Sequence, residues 1–287
     1  MATIDTPEPI SAVVDLPTGN VWIRAGDHHV TVVDVRPTDH HDDNDVQAAE
    51  QTRIDYADGR LTVKAHRTRK SPLASLASLF LGSGSVDVLI ELPAGSRVHV
   101  ATAAGDLRTE GPLGECTLTV TAGDVRVEET GRLRVQVGDG DVTVTRADGH
   151  TDVTVGNGDI RIREVRGPVT AGTTNGDVTV GTVSGDLRAR VATGDITVER
   201  PMAGVAAKTA YGEIHVREIA RGHSVLESGY GDLDIGIREG TAAYLDINSG
   251  YGDVHVSLSE YDAAEHAEDS AEIRAFTSYG DIAVHRA

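Results

Sequence analysis

Aliphatic and polar residues alternate through most of this chain, and the alternation is cut at near-regular intervals by a glycine followed by an acidic residue. The stretch from Asp177 shows the pattern in full. Val178 and Val180 alternate with Thr179, and Val183 follows. Gly185 and Asp186 repeat the break half-way, Leu187, Ala189 and Val191 then alternate with Arg188 and Arg190, and Gly194 closes the unit. A period of two is that of a strand with one buried face. Each unit therefore predicts two short strands, with room for a third short straight stretch between them. Neighbouring units give the same inward set: Val125, Val127, Leu133, Val135 and Val137; Val142, Val144, Val153 and Val155; Ile160, Ile162, Val165 and Val169.

Apart from Gly185-Asp186-Leu187 at the half-period, the glycine–acid–aliphatic triplet occurs ten times, at Gly105, Gly123, Gly140, Gly158, Gly176, Gly194, Gly212, Gly231, Gly252 and Gly280, in steps of 18, 17, 18, 18, 18, 18, 19, 21 and 28 residues. A fixed period of this length means one unit stacked on copies of itself, because no single unit can bury its own aliphatic face. Layers about 4.8 Å apart would make ten units a rod roughly 45 Å long, with hydrogen bonds running between layers. The strands of each sheet should be parallel and the connections right-handed. The expected fold is all-β: a single-stranded parallel β-helix, or β-solenoid, with about 18 residues per coil. Its structural corners include Gly123-Asp124, Gly158-Asp159, Gly176-Asp177 and Gly194-Asp195. No long helical pattern appears in residues 85–260.

Regular coils occupy residues 93–287, and residues 1–92 read as degenerate coils of the same continuous domain with a capping insertion at 67–84. Gly19, Asn20, Val21, Trp22 and Ile23 mimic the later corner and strand, and Val30, Val32 and Val35 suggest the strand after it. Ile54, Tyr56, Leu61 and Val63 flank Asp58-Gly59, a frequent hairpin turn. Atypical end units are expected where a solenoid would otherwise expose strand edges.

Composition narrows the function classes. The formal net charge of −19 argues against nucleic acid as a partner, which needs concentrated Lys and Arg. Aromatic residues make up 3% of the chain, so the interior is thin and aliphatic and leaves little room for a cofactor; none is expected. The single cysteine, Cys116, excludes an intrachain disulfide and reads as a small core residue. Residues 1–10 lack a basic region followed by an apolar stretch, and no run of 18 apolar residues exists. The expected location is the cytoplasm, with peripheral contact to a membrane left open.

Several residue sets are candidates for chemistry. His40, His41, Asp42, Asp43, Asn44 and Asp45 form a polar run, read as a solvated loop with weak metal binding as the alternative. Arg67, Arg69 and Lys70 precede Ser71-Pro72, after which Leu73, Leu76, Leu79 and Phe80 fall on one face of a short helix. That helix either plugs an open solenoid end or docks on a partner or an anionic membrane. Asp124, Asp141, Asp159, Asp177, Asp195, Glu213, Asp232 and Asp253 should stack as an outward column, each accepting from its own turn amides or together holding calcium. Tyr211, Tyr230, Tyr251 and Tyr279 each precede a corner glycine and predict a tyrosine column over the last four coils. Such a column either stabilises the corners or offers an aromatic strip to a glycan, a peptide or a second copy. His215 and His255 take the same outward position two coils apart, with Asp234 between them. No nucleophile elbow, His-Glu-x-x-His or phosphate loop is present, so no catalytic residue, metal site or small-molecule substrate is expected.

The Gly-Asp-aliphatic repeat, the stretch Leu92, Pro93, Gly95 and Ser96 before it, and the closing Ser278-Tyr279-Gly280-Asp281-Ile282 together resemble the DUF4097 family, also called toastrack, over nearly the whole chain. Members are labelled candidate adhesins. The resemblance implies a β-helix without established catalytic residues, and related domains accompany bacterial envelope-stress systems of the phage-shock and Lia types as sensing or assembly modules. The expected function is a non-enzymatic scaffold or interaction module in such an assembly, with a protein partner or self-association. An extracellular adhesin or glycan binder is the first alternative and a polysaccharide-active enzyme the second.

Overall fold

The computed structural model describes residues 1–65, 84–258 and 269–287, which form two compact units, Met1–Gly138 and Asp139–Ala287. In the first unit the elements are β1 (Ala2–Asp5), β2 (Ser11–Thr18), β3 (Val21–Gly26), β4 (Val30–Pro37), α1 (Asp43–Gln51), β5 (Arg53–Ala57), β6 (Arg60–Lys64), β7 (Val86–Pro93), β8 (Arg97–Ala104), β9 (Leu107–Leu113), β10 (Cys116–Ala122), β11 (Val125–Thr130) and β12 (Leu133–Asp139). From β7 onward successive strands fall alternately in two sheets, ordered β1-β4-β7-β3-β9-β11 and β5-β6-β2-β8-β10-β12. The inner pairs, β3 with β7 and β9, β2 with β6 and β8, β8 with β10 and β9 with β11, are parallel.

At the margins of this unit β4 departs from the expectation of parallel strands by running antiparallel to both β1 and β7, whereas β5 runs antiparallel to β6 as the expected hairpin requires. The hairpin turn is Asp58-Gly59, both at positive φ, as the sequence suggests. In β4, Thr31 and Val33 are buried, Val35 shares their face, and Val30 and Val32 point the other way. Thr31 can occupy the interior because its hydroxyl meets that of Thr6 at 2.8 Å. The polar run at 40–45 is also more than a solvated loop, because it opens helix α1. Asp42 caps it by accepting from the Asn44 amide, and Asp45 is buried, accepting from the amides of Asp39 and Ser85 at 2.9 and 2.6 Å. The Leu92-to-Ser96 stretch earns its place similarly: the buried Ser96 hydroxyl donates to the Pro93 carbonyl and accepts from the Ile10 amide.

Cys116 lies in this unit's core, fully buried. Burial pushes its thiol up to about 11, with Glu115 adding to the rise and the Thr130 contact opposing it. The raised value favours the neutral thiol in the folded chain. Its stabilising contribution is therefore complete below the ordinary thiol range and is lost as pH climbs towards about 11. At pH 8 the buried thiol is therefore held in its neutral, unreactive form. Thiol reagents are expected to leave the native protein unlabelled and to modify one group per chain in denaturant; ready labelling of the native protein would contradict this burial.

The second unit holds β13 (Val142–Ala147), β14 (Thr151–Asn157), β15 (Ile160–Val165), β16 (Val169–Asn175), β17 (Val178–Val183), β18 (Leu187–Thr193), β19 (Ile196–Pro201), β20 (Val205–Tyr211), β21 (Ile214–Ile219), β22 (Gly222–Tyr230), β23 (Leu233–Ile237), β24 (Thr241–Tyr251), β25 (Val254–Ser257), β26 (Asp269–Tyr279) and β27 (Ile282–Arg286). Val142 pairs with Ile160, Ile160 with Val178, Val178 with Ile196 and Ile196 with Ile214, each in parallel register. Layers so paired put like residue on like residue. Val178, Val180 and Val183 of β17 and Leu187 and Ala189 of β18 are buried between the two sheets. The three-residue step from Val180 to Val183 marks a bend within β17.

The last layers are not stacked in chain order. The sheets read β13-β15-β17-β19-β21-β23-β27-β25 and β14-β16-β18-β20-β22-β26-β24. The final coil, β26 and β27, is inserted beneath its predecessor, β24 and β25. Arg286 fastens the crossing by donating from one guanidinium nitrogen to the carbonyls of Arg238 and Thr241, both at 3.0 Å.

Candidate functional site

Two side-chain columns run along the corners of the coils. The first is the acidic column. Its carboxylates do not turn back on their own corner, as expected, but accept from the amide of the next layer's acidic residue. In the first unit Asp124 N–H donates to Asp106 at 3.0 Å, and Asp106 N–H to the side-chain oxygen of Asn20. In the second, Asp159 donates to Asp141, Asp177 to Asp159, Asp195 to Asp177 and Glu213 to Asp195, at 2.8–2.9 Å. After an interruption at Glu213, whose carboxylate meets His215 instead, Asp281 donates to Asp232 and Asp253 to Asp281. Charge-assisted bonds of this kind offset the repulsion of like charges one layer apart. Asp124 and Asp159 are further paired with Arg126 and Arg161. The column is thus committed to holding layers together, and among the described residues no group of three or more His, Cys, Asp and Glu is arranged to hold a metal ion.

The hydroxyls at the third position before a corner glycine, buried except for the half-buried Ser249, are a feature the sequence reading missed. Thr173, Thr209, Ser228, Ser249 and Thr277 each donate to the carbonyl of a corner glycine in an adjacent layer, at 2.8–3.1 Å. Their constant offset from the glycine was visible in the sequence.

The histidine expectation changes with the layer order. His215 pairs in register with Asp234, but Asp234 is followed by Ala283 and only then by His255. Asp234 joins His285, at 3.0 Å, rather than His255, and approaches His215 at 3.7 Å.

The second column precedes the corner glycines. Asn157 donates its side-chain amide to Asp139, and Asn175 to Asn157, both at 2.7 Å. Further along the same position is aromatic. Tyr211, Tyr230, Tyr279 and Tyr251, in that spatial order, stack with ring centroids 5.1, 4.8 and 4.9 Å apart and interplanar angles of 8°, 3° and 6°. The parallel register of β20, β22, β26 and β24 dictates this contact. Three stacked pairs contribute about 3 kcal/mol. All four tyrosines are nevertheless exposed, with Tyr251 at 71% the most so. Rings stacked this closely cover one another's faces and present their edges and hydroxyls outward. Only the ends of the row leave a ring face open.

Phe276 and Tyr244 extend the aromatic surface on the outward face of the same sheet, 43% and 70% exposed. A shallow groove of about 310 Å³ lies between Tyr211, Tyr230 and Phe276, with the Lys208–Glu227 ion pair, 2.6 Å, at its margin. Two other shallow grooves lie near Arg188, Arg221 and His223 and beside Trp22. Arg67, Arg69, Lys70, Leu73, Leu76, Leu79 and Phe80 lie outside the described residues, so the structure does not place the basic-apolar segment. Among the described residues no helix is long and apolar enough to cross a membrane.

The model of the family described as Toastrack DUF4097 matches residues 13–231. Among solved structures, a candidate adhesin from Bacteroides fragilis is 12% identical, with 99% of this chain and 95% of that one covered and a TM-score of 0.43. A candidate cell adhesion protein from Clostridium sporogenes is 11% identical, covering 100% and 98% with a TM-score of 0.24. A candidate lipid-binding protein from Parabacteroides distasonis is 10% identical, covering 99% and 96% with a TM-score of 0.31. No curated protein matches the chain.

Proposed function

The chain belongs to the toastrack family DUF4097, and we propose that within this family it is a non-enzymatic interaction module, a right-handed β-solenoid that binds a protein partner through the aromatic strip of its second unit. One observation carries this reading. Six of the chain's ten aromatic residues, Tyr211, Tyr230, Tyr244, Tyr251, Phe276 and Tyr279, lie exposed on four neighbouring strands of one sheet, while the core is built from aliphatic residues. Exposed aromatics clustered beside a polar margin are the composition of protein–protein hot spots. Sugar recognition by ring stacking needs open ring faces, and the tyrosine row covers most of its own. The reading therefore favours a protein over a glycan. It places the module in an envelope-associated assembly, as the family resemblance implies.

A photocrosslinking amino acid at position 276, in cells that make the protein, is expected to give one discrete protein adduct. The adduct should disappear when Tyr230 and Tyr279 are both replaced by Ser, while the thermal midpoint falls only by the loss of ring stacking. An adduct indifferent to that double replacement, or a polysaccharide adduct in its place, would refute the proposal.

A further inference from the structure

Among the described residues, the second unit ends on two strand edges that no further strand pairs: β24 pairs only with β26, and β25 only with β27. Val254 and Val256 continue the inward row of Ile282 and Val284, yet they are 43% and 49% exposed where Ile282 and Val284 are 0% and 1%. Leu245 and Ile247 are likewise half-buried beside the buried Ile273 and Ala275. The corner column stops here as well: among the described residues no amide donates to the Asp253 carboxylate, and no second ring stacks on the outer face of Tyr251.

Native sheets blunt such edges with short strands, charge, proline or a covering element. The first unit does so, with a four-residue β1, α1 packed on β4, and a five-residue β5 carrying Arg53 and Asp55. The second unit does so at β25, which is as short as β1, but not at β24. β24 is eleven residues long without proline or basic residues, and its single carboxylate, Asp246, sits 3.9 Å from Arg274. β25 carries no charge beyond His255.

We propose that this edge is the contact surface for a second copy of the chain, the two related by a two-fold axis with β24 antiparallel to β24 and β25 to β25. Unpaired N–H and C=O groups along an edge call for another strand. Antiparallel self-pairing is the arrangement in which one edge is its own complement. It also sets the Tyr251 end of one β24 against the Thr241 end of the other, so the Asp253 corners stay apart. β24 and β25 offer fifteen residues per copy, fewer than the roughly 20–30 of a standard interface, so the dimer should be weak and dissociate in the micromolar range. Each copy carries −19, and this repulsion is screened by salt, so association should strengthen as salt rises. The inference does not depend on the aromatic strip having a partner.

Sedimentation of the full chain from low micromolar to near-millimolar concentration tests it. The expected result is a reversible change from 30.2 kDa to twice that mass, favoured by salt. Val254→Lys with Val256→Lys should remain monomeric with an unchanged melt, and Tyr230→Ser with Tyr279→Ser should still dimerise. A monomer at every concentration overturns the proposal. A dimer that survives the lysines, one that dissolves on loss of the tyrosines, or growth past two copies also overturns it.

Discussion

Gly176→Ala is expected to cost about 4 kcal/mol or more of stability, whereas Gly172→Ala, four residues earlier, should stay within about 0.5 kcal/mol. Gly176 sits at φ +133°, a backbone region that side chains rarely enter. A Cβ there would stand 2.2 Å from the Gly158 carbonyl oxygen and 2.9 Å from the Asp159 carboxylate of the layer beneath. Neither neighbour can yield. The Gly158 carbonyl already accepts from Thr173, and the Asp159 carboxylate already holds the Asp177 amide. Conformational strain of about 1–3 kcal/mol therefore adds to a steric overlap that only separation of two layers relieves. At Gly172 the nearest atom to a new Cβ is the Arg190 carbonyl oxygen, at 3.4 Å, an ordinary contact. Urea titrations of the two variants provide the comparison. Matching midpoints would show that the corners tolerate a side chain and that the repeat's glycines have another cause.

What the sequence revealed and what it hid divide along one physical line. Alternation is local. Val178, Val180, Leu187 and Ala189 were legible as interior residues because a strand with one dry face has no other pattern, and all four are buried. The tyrosine row was legible for the same reason, since parallel register turns a constant offset from each glycine into contact. Partner choice is not local. Nothing in the alternation says whether an aspartate bonds its own turn or the next layer, and the reach of its side chain across one layer spacing decides for the latter. The antiparallel strands β1 and β4 and the helix Asp43–Gln51 follow from closing a margin, a demand that repeats do not encode, whereas the β5–β6 hairpin was legible in its Asp58-Gly59 turn. The aromatic strip was half visible: four tyrosines declared themselves by position, while Phe276 and Tyr244, outside that register, showed only in the structure as exposed rings on the same strands.

Layer order was hidden most deeply, and its consequence is the second large effect. Val284→Asp is expected to cost about 4–5 kcal/mol and Val256→Asp less than about 1 kcal/mol. The two valines are direct neighbours in register on β27 and β25, both on the inward row. Chain order alone would place Val256 inside the stack and Val284 in its last layer, and would forecast the reverse ranking. Spatial order inserts β27 between β23 and β25, so Val284 is 1% exposed between Ile235 and Val256, while Val256 is half open to water. A carboxylate at 284 would be desolvated among aliphatic side chains without a partner and would also lose the valine's burial. At 256 it can keep its hydration. Denaturation should be followed at low concentration, where any second copy has dissociated and cannot bury position 256. A Val256→Asp variant as damaged as Val284→Asp under those conditions, or more so, would mean that the coils follow chain order after all. β24 and β25 would then no longer form the edge of the unit.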